Sequence, residues 1–387
     1  MWVLIRTCIL FTLLLVLPDI YIYKVYIAPL KSHSAKRWLW WPTFALLAVL
    51  YGFVISREVY QEYFGIYLIV ALSIGIPKVI FVLFSLLLRG IQKLTHRNIR
   101  HGIISLIPSV AAGLYIIFGA TEGKQHFQIK EVTFESAELP AAFDGYRILQ
   151  LSDIHSGSWK GNPGPLERAI QLCNDQHADL AVFTGDMVNS RSEELKEFIP
   201  VLSQLQAKDG VYSILGNHDY GLYTTWASEA LRLADVDSLV CLQNHMGWEM
   251  LNNDHRILHR DNDSIALIGV ENSGNPPFPD LGDLDKASQG TNGMFKVLLS
   301  HDPTHWRRNV LPETDIQLML AGHTHDMQIS FLGFSASQFF YPEHNGMYYE
   351  GNRGLYVNIG LGHVLFPMRL GAWPEITVIT LKKKITN

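Results

Sequence analysis

The chain has 387 residues, 48% of them hydrophobic, with a formal net charge of −5 and a mean hydropathy of +0.11. That length admits a membrane part plus one sizeable domain, or two soluble domains. No basic block stands out in the last two thirds, which excludes a nucleic-acid footprint. Cys8, Cys173 and Cys241 supply neither a disulfide framework nor a CxxC metal pair. Buried free thiols are the expectation, with a Cys173–Cys241 bridge left open.

Four apolar segments fill the first third: residues 2–17, 38–55, 63–88 and 103–120. Each matches or approaches the roughly 17–25 residues that span a bilayer as a helix. Trp38, Trp40, Trp41, Tyr60 and Tyr63 gather at the expected ends, as interfacial aromatics do. A cleaved signal peptide is the alternative for the first segment. Leu17-Pro18-Asp19 is a poor small-residue cleavage site, however, and three further spans follow. The first loop holds Lys24, Lys31, Lys36 and Arg37, and the third holds Arg89, Lys93, Arg97 and Arg100; the second sets Arg57 against Glu58 and Glu62. Positive loops stay cytoplasmic, so both chain ends and the C-terminal domain are expected on the outer side of an inner membrane. Arg6 pulls weakly the other way. Lys78, beside Pro77, is a charge inside the third span; it marks a functional site or pairs within the bundle.

Around residues 122–130 the composition turns polar. We expect a helical membrane domain over 1–122, a linker and edge strand over 123–145, and an α/β domain over 146–387. From Tyr146 strands alternate with helices. Apolar runs at 146–151, 180–183, 211–215, 294–299 and 316–320 read as strands, with helices expected over 165–176 and 192–205 and hairpin-like strands over 248–270. Alternation of this kind argues for an α/β domain around a largely buried sheet.

Each of the five runs ends in polar residues. They are Ser152-Asp153-Ile154-His155, Thr184-Gly185-Asp186, Gly216-Asn217-His218-Asp219, Ser300-His301-Asp302 and Gly322-His323-Thr324-His325. Ligands of open α/β sheets bind beyond the carboxyl ends of the strands. If strand geometry persists, Asp153 and His155 point the same way, and His323 and His325 repeat the spacing. Carboxylates, imidazoles and one carboxamide without thiolate suit a pair of ions such as Mn, Fe, Zn or Co. Two ions about 3.5–4 Å apart can clamp a phosphate, lower the pKa of a bridging water and stabilise in-line displacement. Asp186, after a backbone-freeing glycine, is the natural shared carboxylate. Gly216 permits close approach, Asn217 offers a carbonyl oxygen, His218 can hold or give a proton, and Asp219 is placed to orient it. Each piece alone is a common turn; five directly after apolar strands are hard to assemble by accident.

In order, these motifs resemble those of the calcineurin-like metallophosphoesterases, above all the membrane-associated bacterial branch around the YkuE and YaeI proteins. The resemblance runs from about Tyr146 to Leu381 and implies a metallo-dependent phosphatase fold, a four-layer α/β sandwich, following an N-terminal membrane bundle. It further implies that Asp153, His155 and His325 hold one ion, and Asn217, His301 and His323 the other, with Asp186 bridging. His218 would contact the phosphate and help protonate the leaving oxygen, supported by Asp219. Protein Ser/Thr phosphatases carry an Asp-Arg pair where Asn189-Ser190 stands and a Glu where Asp219 stands. Purple acid phosphatases place a tyrosine at the position of Asn189. Both activities are therefore unexpected.

Weaker claims attach to Asn189 and to Arg369, which follows Gly360-Leu361-Gly362-His363 and could grip a phosphate. Trp159 and Lys160 are candidates for the cleft wall; His245, His255 and His259 read as surface histidines. Phe331, Phe334, Phe339, Phe340 and Tyr341 form either core or an apolar lip toward a membrane. The expected function is a multipass membrane phosphohydrolase acting on a mono- or diester. Membrane location alone suggests an envelope lipid or nucleotide-linked lipid phosphate. A non-catalytic sensor or scaffold would show missing ligands, and none is missing. A transporter has only Lys78 in its favour.

Overall fold

The computed structural model describes residues 2–30, 33–55 and 57–385. Lys31 lies outside them, as do the side chains of Arg57, Glu58, Tyr60 and Glu62. The chain divides into two compact units, Met1–Gly123 with Leu365–Leu370, and Lys124–Val364 with Gly371–Asn387.

The first unit contains α1 (Trp2–Ile22), α2 (His33–Ile55), α3 (Arg57–Thr95) and α4 (His101–Thr121). Among the described residues, four helical stretches are long and apolar enough to cross a membrane: Arg6–Ile27, His33–Ile55, Tyr63–Thr95 and His101–Gln125. The first continues through Pro18 and Asp19, where the sequence suggested a stop. The reason is a polar contact between three helices. Lys78 Nζ of α3 lies 2.7 Å from Asp19 Oδ1 of α1 and donates to Thr43 Oγ1 of α2 (3.0 Å), and Thr43 Oγ1 donates to Asp19 Oδ2 (2.5 Å). Asp19 is fully buried, and a charge in an apolar bundle is tolerable only when paired. Lys78 thus finds its partner inside the bundle. Leu365–Leu370 belongs to this unit: the Arg369 N–H donates to the Gly119 carbonyl (3.1 Å), and Met368 and Leu370 pack on Ile116.

The second unit holds two six-stranded sheets. In the first, β1 (Gln128–Ser136), β2 (Arg147–Leu151), β3 (Leu180–Phe183), β4 (Val211–Ser213), β5 (Trp248–Met250) and the C-terminal strand Glu375–Lys383 are ordered with β1 at one edge, the C-terminal strand next, then β2 to β5. The second pairs β6 (Asp254–Arg260), β7 (Asp263–Gly269), β8 (Phe295–Leu299) and β9 (Leu318–Ala321). A small separate hairpin follows, β10 (Ser330–Phe331) with β11 (Phe334–Ser335). β12 (Gly346–Glu350) and β13 (Arg353–Val357) then complete the second sheet beyond β9, which makes the strand Glu375–Lys383 β14.

Buried strands alternate their side chains between two apolar layers, and this period of two builds the sandwich. Ile148, Leu180 and Val182 of the first sheet meet Leu267, Val297, Leu318 and Leu320 of the second in a central layer. Leu149, Leu151, Ala181 and Phe183 face outward onto the helix α5 (Gly164–Asn174) and its neighbours, as Ala266, Ile268, Leu298 and Met319 do on the other side onto Trp306 and Val310. The result is two sheets with three apolar layers, the expected four-layer α/β sandwich.

The helix expected over 192–205 is a 3-10 stretch, Ser192–Phe198, followed by one α-turn, α6 (Ile199–Leu202), with Pro200 in its first turn. Glu194 explains the irregular start: its carboxylate receives the N–H groups of Asn189, Ser190 and Arg191. All three cysteines are free; Cys8 and Cys173 are buried, but Cys241, on α7 (Glu229–His245), is exposed, contrary to the expectation for all three.

Candidate metal centre

β2, β3 and β4 are neighbours in one sheet and β8 and β9 in the other, so five polar strand ends open at the same end of the sandwich. The loops after β2 and β3 stay in register past the strands: Asp153 N–H donates to the Gly185 carbonyl (2.9 Å) and His155 N–H to that of Asp186 (3.1 Å). Between the loops after β3 and β4 the backbones nearly touch. A Cβ on Gly216 would strike Asp186 Oδ1, and one on Gly185 would lie 2.6 Å from the Gly216 nitrogen. Glycine is required at both positions for that approach.

Strand geometry does not persist into these loops, so it is not what aims Asp153 with His155 or His323 with His325. Asp153, His155, Asp186, His323 and His325 have φ of +53°, +48°, +61°, +75° and +49°. Left-handed backbone costs an L-residue roughly 1–2 kcal/mol, and aspartate and histidine are among the side chains that visit it most readily. Such clustered strain is maintained by its surroundings and concentrates at functional sites.

Three groups of side chains converge, with ligand atoms within 4.8 Å of one another: Asp153, His155 and His325; His155, Asp186 and His218; Asp186, His301 and His323. Each carboxylate has one oxygen held by backbone and the other turned inward. Asp153 Oδ2 accepts the His323 N–H (3.0 Å), and its Oδ1 lies 3.1 Å from His325 Nε2. Asp186 Oδ1 accepts the His218 N–H (2.8 Å), and its Oδ2 lies 3.2 Å from His301 Nε2 and 3.7 Å from His155 Nε2. Asn217 Nδ2 donates to the Tyr223 hydroxyl (2.7 Å), which turns Asn217 Oδ1 toward His323 Nδ1 (2.7 Å) and His301 Nε2 (3.2 Å).

Protonation shows what the cluster fits. His301 Nδ1 sits 2.7 Å from the Thr184 carbonyl, which can only accept, so that nitrogen carries the hydrogen and Nε2 presents its lone pair to Asp186 Oδ2 and Asn217 Oδ1. Three lone-pair atoms at such distances repel unless a positive centre lies among them. Without a cation a proton takes that role: burial would lower His301, yet Asp186 and then Asp153 push it up to about 10. His155 Nε2 and His325 Nε2 face each other at 3.0 Å, and burial with the neighbouring His218 depresses His155 well below the ordinary imidazole range. Buried carboxylates, imidazoles and a carboxamide oxygen facing inward form a donor set that fits divalent cations.

His218, like His323, keeps partial exposure. Its Nδ1 lies 2.7 Å from the Asn189 carbonyl, which makes Nδ1 the donor and leaves Nε2 to take or give a proton. Asp219 does not orient it. Its Oδ2 accepts the N–H groups of Asp186 and Gly216 and its Oδ1 those of Met187 and Val188, so it fastens the β3 and β4 loops together. Burial and the charge of Asp186 push the Asp219 carboxyl up to about 7.

Other expectations shift as well. The Asn189 side chain is paired with Ser158 (Nδ2 to Oγ, 3.0 Å), and its carbonyl rather than its amide serves the site. Trp159 is core, donating to the Ile154 carbonyl (2.9 Å), while Lys160 is exposed. Arg369 belongs to the helical unit, not to the unit that carries the cluster. His255 Nδ1 lies 2.9 Å from the Ala287 carbonyl, away from the cluster. Sequence reasoning missed Tyr223, whose ring stacks on His218 at 4.1 Å, and Phe278, edge-on to His323 at 4.7 Å; it read Tyr341 as core or an apolar lip, whereas its hydroxyl lies 2.9 Å from His323 Nε2. No motif marks these aromatics, since they reach the site from irregular loops.

Residues 146–327 match the family model for calcineurin-like phosphoesterases. A Danio rerio "transmembrane protein with metallophosphoesterase domain" is 31% identical over 298 residues, 74% of this chain and 64% of that protein. The chain therefore spans less than two thirds of that relative's length. The uncharacterised metallophosphoesterase YkuE of Bacillus subtilis is 34% identical over 264 residues, covering 65% of this chain and 84% of YkuE. An uncharacterised metallophosphoesterase of Helicobacter pylori strain 26695 is 26% identical over 376 residues, 92% of each chain. Placed on the two-sheet fold and its cluster of inward-facing oxygen and imidazole donors, these likenesses leave one conclusion: the chain belongs to the calcineurin-like phosphoesterase family of metal-dependent phosphoesterases.

Proposed function

We propose that the chain is a multipass inner-membrane phosphohydrolase with a two-cation centre, its catalytic domain on the extracytoplasmic side. The observation that carries the two-cation reading is Asp186. Its carboxylate belongs both to the group with His155 and His218 and to the group with His301 and His323. In this reading Asp153, His155 and His325 hold one ion, Asn217, His301 and His323 the other, and Asp186 both. Bound there, the cations neutralise phosphoryl oxygens and acidify a nucleophilic water. Mn, Fe and Zn all suit these donors.

The chain's own groups supply the rest. Backbone N–H groups hold one oxygen of Asp153 and one of Asp186, so the inward oxygens cannot swing away. His218, fixed as the Nδ1–H tautomer by Asn189, presents Nε2 for proton transfer to the departing oxygen. Tyr223 covers one face of that imidazole and aims Asn217 through its hydroxyl. The substrate is a phosphate mono- or diester, and four apolar helices in the same chain support one carried by an envelope lipid or nucleotide-linked lipid. The test is hydrolysis of p-nitrophenyl phosphate and its bis ester by the full chain in detergent. We expect dependence on added metal and loss of turnover in Asp186→Ala and Asn217→Ala. Wild-type rates in a chelated sample or in Asp186→Ala would end the proposal.

A further inference from the structure

Past His325 the chain makes an excursion that holding a metal does not require. Asp326, Met327 and Gln328 continue in the left-handed region (φ +48°, +48° and +61°) and lead into the β10–β11 hairpin. Ser335 Oγ donates to the Asp326 carbonyl (2.7 Å), tying the hairpin to that turn. A 3-10 turn, Ala336–Phe339, brings the chain to Tyr341, whose hydroxyl meets His323. The excursion begins at one residue of the cluster and ends against another.

Residues 327–341 contain no charged side chain. Phe331, Leu332, Phe334, Phe339 and Phe340 are 67%, 92%, 54%, 73% and 68% exposed, and Phe334 packs edge-on against Phe339 at 5.9 Å. A surface patch for a protein partner carries a polar rim; this one has aromatic and leucine side chains whose only polar intervening residues are serine and glutamine, the composition of a segment at a membrane interface. Chain connectivity supports the same occupant. Gln328 Oε1 accepts the Val364 N–H (2.6 Å), and a Cβ on Gly371 would strike the Ser330 carbonyl. Val364 and Gly371 are the residues between which the chain runs through Leu365–Leu370, the segment grouped with the four apolar helices. The base of the hairpin is therefore held by the two residues that flank Leu365–Leu370 in sequence.

We infer that the hairpin face formed by Phe331, Leu332, Phe334, Phe339 and Phe340 is seated in a lipid bilayer. The metal cluster then opens at headgroup depth, and its substrate is a phosphoester borne by a membrane lipid. The substrate half rests on the phosphohydrolase reading; the seating does not. For the seating, the full chain is reconstituted in phosphatidylethanolamine–phosphatidylglycerol vesicles with a nitroxide on Leu332→Cys or Phe334→Cys, each in a Cys241→Ser background. Collision with oxygen, which concentrates in lipid, is compared with collision with a water-soluble nickel chelate. Both labels should favour oxygen, reversing the ratio seen at Leu233→Cys, an exposed site on α7. Labels that match Leu233→Cys, or that are shielded from both reagents as in a protein interface, overturn the seating. For the substrate, a long-chain phospholipid in the same vesicles is compared with its water-soluble short-chain counterpart. A higher kcat/KM for the long-chain ester is expected, and a preference for the soluble ester overturns that half. Seated labels in a chain that hydrolyses no phosphoester would refute the phosphohydrolase reading and leave the surface standing.

Discussion

Asp219→Ala should loosen the metal centre before it changes any chemical step. The carboxylate receives four buried N–H groups, from Asp186, Met187, Val188 and Gly216, at 2.8 to 3.1 Å. A buried donor left without a partner costs about 1–3 kcal/mol. Alanine leaves space that a water can enter, so the lower end applies, about 1 kcal/mol for each donor and about 4 kcal/mol together. Removing a carboxylate that burial and the charge of Asp186 both disfavour offsets part of this, leaving about 3 kcal/mol. For a unit of this size that lowers the melting midpoint by about 6–12 °C. Thermal unfolding of the detergent-solubilised full chain, followed by near-UV circular dichroism, reads the midpoint, and elemental analysis of the same sample should show metal lost. Asp219→Asn keeps an oxygen for two of the donors and should fall between. A variant with an unchanged midpoint and full metal content but reduced kcat would refute this account and return Asp219 to the role of orienting His218.

His218→Asn should retain its metal and lose about 10²–10⁴-fold in kcat, with the smallest loss on esters whose leaving group needs no proton; comparing p-nitrophenyl with alkyl esters checks this. Tyr223→Phe removes the hydroxyl that aims Asn217 and should weaken metal affinity or activity about 10–100-fold, read by metal titration. Lys78→Met leaves Asp19 buried without its cation and should cost about 3–5 kcal/mol, whereas Lys78→Met with Asp19→Leu should recover most of the thermal midpoint. Chelation should abolish hydrolysis, and readdition of Mn or Zn should restore it.

Much of this architecture is legible in the sequence. Strands at 146–151, 180–183, 294–299 and 316–320 announce themselves as apolar runs because both faces of each are buried. The polar residues after them stand out for the same reason. What stays hidden depends on partners far apart in sequence. Asp19 looks like the end of a span because its cation, Lys78, lies on another helix. Trp159 looks like a cleft residue because nothing in its neighbourhood shows that its indole N–H turns back to Ile154. Asp219 sits beside His218, and adjacency suggests a pair. Its actual partners are chiefly amides on a different loop, brought within reach by two glycines.

The left-handed candidate ligands show how a two-residue spacing can group side chains without strand geometry behind it. In an extended strand, residues two apart point the same way, as Asp153-Ile154-His155 suggests. The strand has already ended at Leu151, and Asp153 and His155 on either side of Ile154 have positive φ while Ile154 itself goes into the core. His323 and His325 repeat this around Thr324, whose hydroxyl donates to the His344 carbonyl (2.6 Å). Such a loop turns two side chains inward while anchoring the residue between them, a spacing that mimics the period of a strand without its backbone. Aspartate and histidine are among the non-glycine residues that tolerate the left-handed region most readily, and they also hold divalent cations. One choice of residue therefore meets both demands, and the sequence pattern for ligation and the pattern for the turn cannot be told apart until the dihedral angles are known.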